Sequence, residues 1–166
     1  ARIVAFLETF ASAGCSRVQL HKSSEPIFDH YGIETQIQRA LERRVWLKSG
    51  GHIIIDQDEA LTVIDVNSGR FVGKSSLGET ITQINLEAVA EIAHQLRLRN
   101  LGGIIIIDFI DMERDEHKRQ VLKSLEKHLE KDHAKTQICE VSPLGLVEMT
   151  RKRTRESLEH VLCETC

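Results

Sequence analysis

The sequence contains no long hydrophobic run. Nothing in its 166 residues approaches the roughly 18 consecutive apolar residues that a membrane-spanning helix needs, so we expect no transmembrane segment. The N-terminal stretch carries an acid at Glu8 and lacks a small-residue cleavage site, so we expect no signal peptide. Methionine is absent from the first position and a cysteine stands at the last, and we interpret both ends as cuts within a longer protein.

A strong charge of one sign is also missing, and aromatic residues are few. Lysine and arginine number 22 against 25 acids, which gives a net charge of −3. Binding of nucleic acid would therefore depend on local basic patches or on other parts of a longer protein. Phenylalanine, tryptophan and tyrosine make up 4% of the residues, so stacking on aromatic rings is expected to be limited.

Cysteines are too few for a disulfide framework, and this favours a reducing, intracellular compartment. Cys15 and Cys139 are isolated, and we predict buried thiols at both positions. Cys163 and Cys166 have the C-x-x-C spacing of metal ligands, although two cysteines supply only half of a tetrahedral zinc site. A redox pair and a metal-free chain end are the alternatives.

What the sequence does contain is the patterning of a globular protein, with 41% hydrophobic and 28% charged residues. Apolar residues at helical spacing predict helices at 2–13, 33–44, 80–99, 113–133 and 146–153. Alternating or β-branched runs predict strands at 17–22, 45–47, 52–56, 60–67, 104–108 and 137–141.

Strands that alternate with helices predict an α/β fold in layers, a mixed sheet flanked by helices. Lys48 to Gly51 is a hairpin signal, so the region 45–67 is expected to be antiparallel. The helices at 80–99 and 113–133 are expected to be crossovers between strands.

Three polar residues stand where two predicted strands end. Asp65 and Asn67 are two residues apart and share a face, and Asp108 ends the apolar run 104–108. Acids at the carboxyl ends of neighbouring strands converge on the crevice where α/β sheets bind ligands. Two carboxylates there repel each other unless a cation lies between them, and Mg²⁺ with its preference for oxygen ligands is the natural candidate. Asn67 would hold the water shell of the metal or a phosphate oxygen.

The residues by themselves leave a structural alternative open, because an aspartate after a strand is often only a helix cap or a turn former. Spacing and composition therefore lead no further than a metal-dependent phosphotransfer enzyme as one possibility.

The residues of these motifs also resemble those of a known protein family. The sequence resembles the RNase E/G family of endoribonucleases in a series of motifs that keep the family's order and spacing. These motifs are Gly50–Gly69, Asn85–Ala88, Gln95–Gly103, Ile107–Met112 and Gly145–Arg151. The resemblance implies the C-terminal part of a catalytic core: a tail of an RNase H-like subdomain at 1–44, a DNase I-like catalytic domain at 45–160 and a zinc-link half site at 161–166.

The resemblance also implies an activity. Asp65 and Asp108 would coordinate Mg²⁺ with support from Asn67, and single-stranded RNA would be hydrolysed to products with a 5′-phosphate. Two alternatives stay open. The chain is a scaffold or dimerisation fragment that is inactive in isolation, or it is a related metal-dependent phosphoesterase.

By the same resemblance, Cys163 and Cys166 would bind zinc together with the same pair of a second subunit, giving a zinc-linked dimer or higher homo-oligomer. Glu164 stands where the family usually has proline, which weakens this match. The family implies a bacterial cytoplasmic location, or a plastid.

Basic residues are the candidates for contact with the RNA backbone. Lys135 matches by spacing a basic position that contacts RNA in the family, and we rank it first, followed by Arg97, Arg99 and Arg151. Ordinary solvated surface is the alternative for each. Phe71 and Phe109 are the only candidates for base stacking near the expected site, and we favour packing for Phe109.

Overall fold

The computed structural model describes residues 2–69 and 77–163 of the chain. Contacts between Cα atoms divide the chain into two compact units, Ala1–Ile37 and Gln38–Cys166.

The N-terminal unit consists of short helices. α1 spans Arg2–Phe10, a 3-10 helix spans Ser12–Arg17, α2 spans Ile27–His30, and α3, Ile33–Leu41, runs across the division between the units. The strand predicted at 17–22 is wrong, because this segment has no regular structure beyond the 3-10 helix. Alternation alone does not make a strand, since the backbone of a strand needs a neighbour for its hydrogen bonds.

The C-terminal unit is built on a six-stranded sheet with the order β1-β2-β3-β4-β6-β5. The strands are β1 (Arg44–Trp46), β2 (His52–Gln57), β3 (Leu61–Asn67), β4 (Gly103–Asp108), β5 (Thr136–Val141) and β6 (Val147–Arg151). The helices are α4 (Leu77–Leu98), α5 (Asp115–Leu129) and α6 (Leu158–Leu162). The predicted mixed sheet flanked by helices is confirmed, whereas the DNase I-like and RNase H-like assignments stay predictions.

The connections follow the predicted pattern. β1, β2 and β3 pair antiparallel. α4 crosses over from β3 to the parallel strand β4. α5 connects β4 to β5, and β6 lies between these two strands and is antiparallel to both. No helix in the described ranges is long and apolar enough to cross a membrane.

The helix predicted at 146–153 is wrong, because this segment forms β6. Val147, Met149 and Arg151 are buried while Glu148 and Thr150 between them are exposed, which is the period of a strand. The short helices α2 and α6 were not predicted.

The core lies between one face of the sheet and the helices α4 and α5. Ile64, Ile105 and Ile107 from the central strands are fully buried there, as are Ile92 of α4 and Leu125 of α5. The alternate residues of the strands point to the opposite side, which we call the outer face. On β1 to β4 and β6, the residues of the outer face are Arg44, Trp46, His52, Ile54, Asp56, Leu61, Val63, Asp65, Asn67, Ile104, Ile106, Asp108, Glu148 and Thr150.

Candidate active site

Asp65 and Asp108 are direct neighbours across the sheet. They are register partners in the parallel pair β3–β4, whose strands lie roughly 4.8 Å apart. Ile64 and Ile107, the residues before them, are fully buried in the core. Because successive side chains of a strand alternate, burying these isoleucines directs both carboxylates to the outer face. The core therefore sets the position of the pair.

Asn67 belongs to the same cluster. It lies two residues after Asp65 on the outer face, and its Nδ2 donates a hydrogen bond to Asp65 Oδ2 at 2.8 Å. The bond holds one carboxylate oxygen of Asp65 and leaves the second N–H of the amide free to donate elsewhere.

Asp65 and Asp108 bring two carboxylates close together and so concentrate negative charge. Partial burial, followed by the nearby carboxylates of Asp65 and Asp111, raises the pKa of Asp108. A cation relieves this repulsion, and carboxylate and amide oxygens are the donors that Mg²⁺ prefers. In the described ranges, no group of three or more His, Cys, Asp or Glu residues is placed to hold a metal ion. Two carboxylates completed by water and substrate phosphate are nevertheless a usual Mg²⁺ site, so the residues fit this ion.

Asn85 of α4 fixes the loop that follows Asp108. Its side chain is fully buried, donates from Nδ2 to the Ile110 carbonyl at 2.8 Å and accepts from the Ile110 amide at 3.1 Å. The same loop forms part of the wall of a cavity of about 290 Å³, which Lys118 also lines. The helix thus holds the backbone beside one carboxylate.

Glu87, two residues further along α4, holds the turn beside the other strand end. It accepts hydrogen bonds from the backbone amides of Lys48 at 2.5 Å and Ser49 at 3.2 Å. The turn lies very close to the end of β3, since a Cβ atom at Gly51 would lie 2.7 Å from the Asn67 carbonyl oxygen. Only glycine allows this approach.

Sequence reasoning cited Asn85 and Glu87 only as part of a motif and gave them no role. The signal that could have found Asn85 is its place beside the apolar stripe of α4, where Ile84 and Ala88 are also buried. A fully buried amide there must find hydrogen-bond partners within the fold.

The predicted RNA-contacting arginines differ in exposure. Arg99 is only 7% exposed, and its guanidinium donates to Gln95 Oε1 at 2.7 Å and to the Glu42 carbonyl at 2.8 Å. Burial lowers the pKa of Arg99. Arg97, two residues earlier, is exposed.

Arg151 is also buried, with its side chain 5% exposed. It donates to both carboxylate oxygens of Asp132, at 2.7 and 3.2 Å, and to the Leu101 carbonyl at 2.7 Å. Burial opposes ionisation of Asp132, but the hydrogen bonds from Arg151 and the Ala134 amide outweigh it and lower the pKa of Asp132. The guanidinium of Arg151 is therefore engaged within the fold.

Lys135 is exposed and lies far from the carboxylate pair. It directly precedes β5, whose first residue pairs with Arg151, which in turn pairs with Gly103 at the start of β4. Asp108 ends the same strand, about 16 Å away at the usual rise of a strand. Lys135 lines a surface cavity of about 380 Å³ together with Lys152. The structure thus brings Asp65, Asn67 and Asp108 together and places Lys135 and Arg151 near the opposite end of β4, while contact with RNA stays a prediction.

The cysteine predictions are resolved only in part. Cys139 is exposed, so the predicted buried thiol is wrong there. The Cys15 side chain lies outside the described residues. Cys163 is exposed, and Cys166 lies outside the described residues, so the zinc site stays a prediction.

The predictions for the two phenylalanines have different outcomes. Phe109 is 7% exposed and belongs to the core, which confirms packing. Phe71 lies outside the described residues.

Comparison with known proteins agrees with the motif series. The model of the Ribonuclease E/G family matches residues 1–154. Ribonuclease G of Salmonella typhimurium is 62% identical over 151 residues, covering 91% of this chain and 31% of that protein. Ribonuclease G of Haemophilus influenzae is 58% identical, covering 97% of this chain and 33% of that protein. Ribonuclease E of a Nostoc species is 48% identical, covering 88% and 21%.

The chain thus spans about a third of the length of the ribonuclease G relatives that it matches. The match nevertheless covers nearly all of this chain and includes every motif on which the resemblance depends. The family predicted from these motifs is confirmed: the chain belongs to the ribonuclease E/G family.

Proposed function

We propose that this chain is the C-terminal part of the catalytic core of an endoribonuclease that hydrolyses single-stranded RNA with the help of Mg²⁺. The observation that supports this proposal most strongly is the register pairing of Asp65 with Asp108 on the outer face, with Asn67 bonded to Asp65. Membership of the ribonuclease E/G family and relatives named ribonuclease G and ribonuclease E support an RNA substrate.

Each residue of the cluster has a separate task. Asp65 and Asp108 would hold Mg²⁺, which when bound polarises a phosphate and lowers the pKa of a bound water. Asn67 orients Asp65 through its hydrogen bond and has a second N–H for a phosphate oxygen. Asn85 and Glu87 hold the two backbone segments that flank the pair. Attack of water on phosphorus with departure of the 3′ oxygen leaves a 5′-phosphate on the downstream product.

Two alternatives have a structural reason to be tested. The exposed basic candidate Lys135 lies at the far edge of the sheet from the carboxylates, so this chain in isolation is expected to bind RNA weakly and to act only as a scaffold. A pair of carboxylates also suits other metal-dependent phosphoesterases. A zinc-linked homo-oligomer and a bacterial cytoplasmic location remain part of the proposal for the whole protein.

The test is cleavage of a 5′-monophosphorylated, fluorescent single-stranded RNA with and without Mg²⁺. The full-length protein and this chain are compared as wild type, Asp65→Asn and Asp108→Asn. Asp56→Asn is the matched control, because Asp56 is a strand carboxylate that pairs with Arg43 instead of facing Asp108.

We expect Mg²⁺-dependent cutting by the full-length protein, a loss of at least about a hundredfold in either site variant and nearly full activity in the control. DNA and a phosphomonoester serve as competing substrates, and preference for either would favour the phosphoesterase alternative. Equal activity of the control and the site variants would remove the proposed metal ligands.

A further inference from the structure

A second feature of the outer face involves the single tryptophan of the chain. Trp46 lies on β1, and its side chain is 63% exposed. It is the register partner of His52 on β2, which in turn pairs with Asn67 on β3. A large exposed ring therefore lies in the same cross-strand row as a residue of the candidate active site, two strands away.

His52 contributes a second ring beside that of Trp46. Its ring centroid lies 5.2 Å from that of Trp46, with the planes tilted by 55°. In the part of the chain that the structure describes, His52 Nδ1 is buried and makes no hydrogen bond. Because Nδ1 is closed to solvent, it offers no hydrogen bond to a ligand from outside, and His52 acts here through its ring, which packs beside that of Trp46.

Arg44 adds positive charge at the same place. Its guanidinium carbon lies 5.5 Å from the centre of the Trp46 ring, within the range of a cation–π contact. Arg44 shares its row with Ile54, Asp65 and Asp108. With neighbouring strands roughly 4.8 Å apart, Arg44 and Trp46 lie about 10 Å across the sheet from Asp65 and Asn67.

We propose that Trp46, His52 and Arg44 form a stacking platform for a nucleobase of the RNA strand close to the phosphate that is cut. An aromatic face binds a base of any sequence, the arginine binds the adjoining phosphate, and the His52 ring packs beside the Trp46 ring from the neighbouring strand. The platform rests on the proposed function, because it places the strand relative to the carboxylate pair. The platform itself includes neither Asp65 nor Asp108.

RNA fits this surface better than a protein partner does. The exposed ring is accompanied by an arginine, and the carboxylate pair of the candidate active site lies about 10 Å away on the same face. A strand of RNA whose phosphate lies at that pair extends its neighbouring bases across the same rows. Sequence reasoning overlooked the platform, because Trp46 is far from the motif aspartates along the chain and approaches them only through the register of the sheet.

The test combines Trp46→Ala in the full-length protein with an RNA that lacks one base. Fluorescent single-stranded RNAs with a single abasic position on either side of the cleavage site are bound without Mg²⁺, so that binding is measured apart from cutting. We expect Trp46→Ala to weaken binding of intact RNA by roughly tenfold to a hundredfold and Trp46→Phe to restore most of the loss.

The decisive quantity is the coupling between protein and RNA. At one abasic position the wild type should lose affinity, whereas Trp46→Ala should lose little more, because the same contact is already gone. Leu144→Ala is the control, since Leu144 is 83% exposed at the turn between β5 and β6, away from β1. Melting temperatures and sedimentation are measured for each variant.

Losses that add independently at every abasic position, or an equal effect of Leu144→Ala, would overturn the platform. A change in association state with unchanged RNA binding would also overturn it and assign Trp46 to a protein interface. If the coupling is present but the wild-type protein does not cut RNA, the platform stands and the proposed hydrolytic function fails.

Discussion

At the scale of single residues, burial distinguishes charged side chains that stabilise the fold from those exposed for binding a ligand. Arg99 and Arg151 were predicted as contacts for RNA, yet both are less than a tenth exposed and bonded within the fold. The five N–H donors of arginine serve phosphate and carbonyl oxygen equally well, so the residue type alone could not decide. Their partners come from distant segments, which no local pattern in the sequence reveals.

The buried pair of Asp132 and Arg151 predicts a dependence of stability on pH. The pKa of Asp132 is lowered in the folded state, so the stability it contributes is present above its unfolded pKa of about 3.9 and is lost as pH falls through the lower, folded pKa. Asp132→Asn should reduce the free energy of unfolding at pH 7 by about 3–5 kcal/mol, because Arg151 is left buried without its partner. The difference from wild type should shrink as the pH falls below about 4.

Denaturant unfolding between pH 3 and pH 7 measures this effect. Asp115→Asn is the control, because Asp115 is highly exposed at the start of α5 and its contact with Lys118 is long at 3.8 Å. If the difference in unfolding free energy between Asp132→Asn and wild type stays constant from pH 3 to pH 7, ionisation of Asp132 beside Arg151 is not its cause.

At the scale of elements, the sequence predicts best where period and length agree. The hairpin of β2 and β3, the crossover helix α4 and the strand β4 were all predicted, because their apolar residues repeat clearly and polar or glycine-containing turns separate them. The placement of Asp65 beside Asp108 follows from these elements. The helix prediction for 146–153 was wrong because its few apolar residues satisfy the periods of both a helix and a strand. Only pairing with β4 and β5 selects the strand.

α4 has a positioning role that its amphipathic pattern does not reveal. Asn85→Ala would remove both hydrogen bonds to Ile110 and leave the backbone N–H and C=O of this residue unsatisfied. We expect a loss of about 1–3 kcal/mol in the free energy of unfolding and faster amide exchange at Ile110. Activity should fall as well, because Ile110 lies two residues from Asp108.

Hydrogen exchange followed by mass spectrometry measures the local effect, and Glu91→Ala on the same helix is the control. Among the residues that the structure describes, the Glu91 side chain accepts a hydrogen bond from the Gln95 side chain alone. Exchange confined to the ends of the helix, with residues 109–112 still protected, would show that Asn85 does not hold this loop.

At the scale of the whole molecule, the chain combines a well-packed sheet unit with an N-terminal unit whose helix α1 buries none of its residues. It matches relatives about three times its length. The carboxylate pair and the platform share the outer face, whereas Lys135 lies at the far edge of the sheet. Under the proposed function, this spatial arrangement would set the path of RNA over the molecule, and sequence order alone does not give it.

The central claim is that Asp65 and Asp108 form one metal site. The most direct test is the binding of Mn²⁺, a spectroscopic substitute for Mg²⁺, measured by electron paramagnetic resonance on wild type, Asp65→Asn, Asp108→Asn and Asp56→Asn. We predict one saturable site in wild type and in Asp56→Asn, and its loss or a weakening of at least about tenfold in each of the other two variants. Unchanged Mn²⁺ binding in Asp65→Asn and Asp108→Asn would contradict the account.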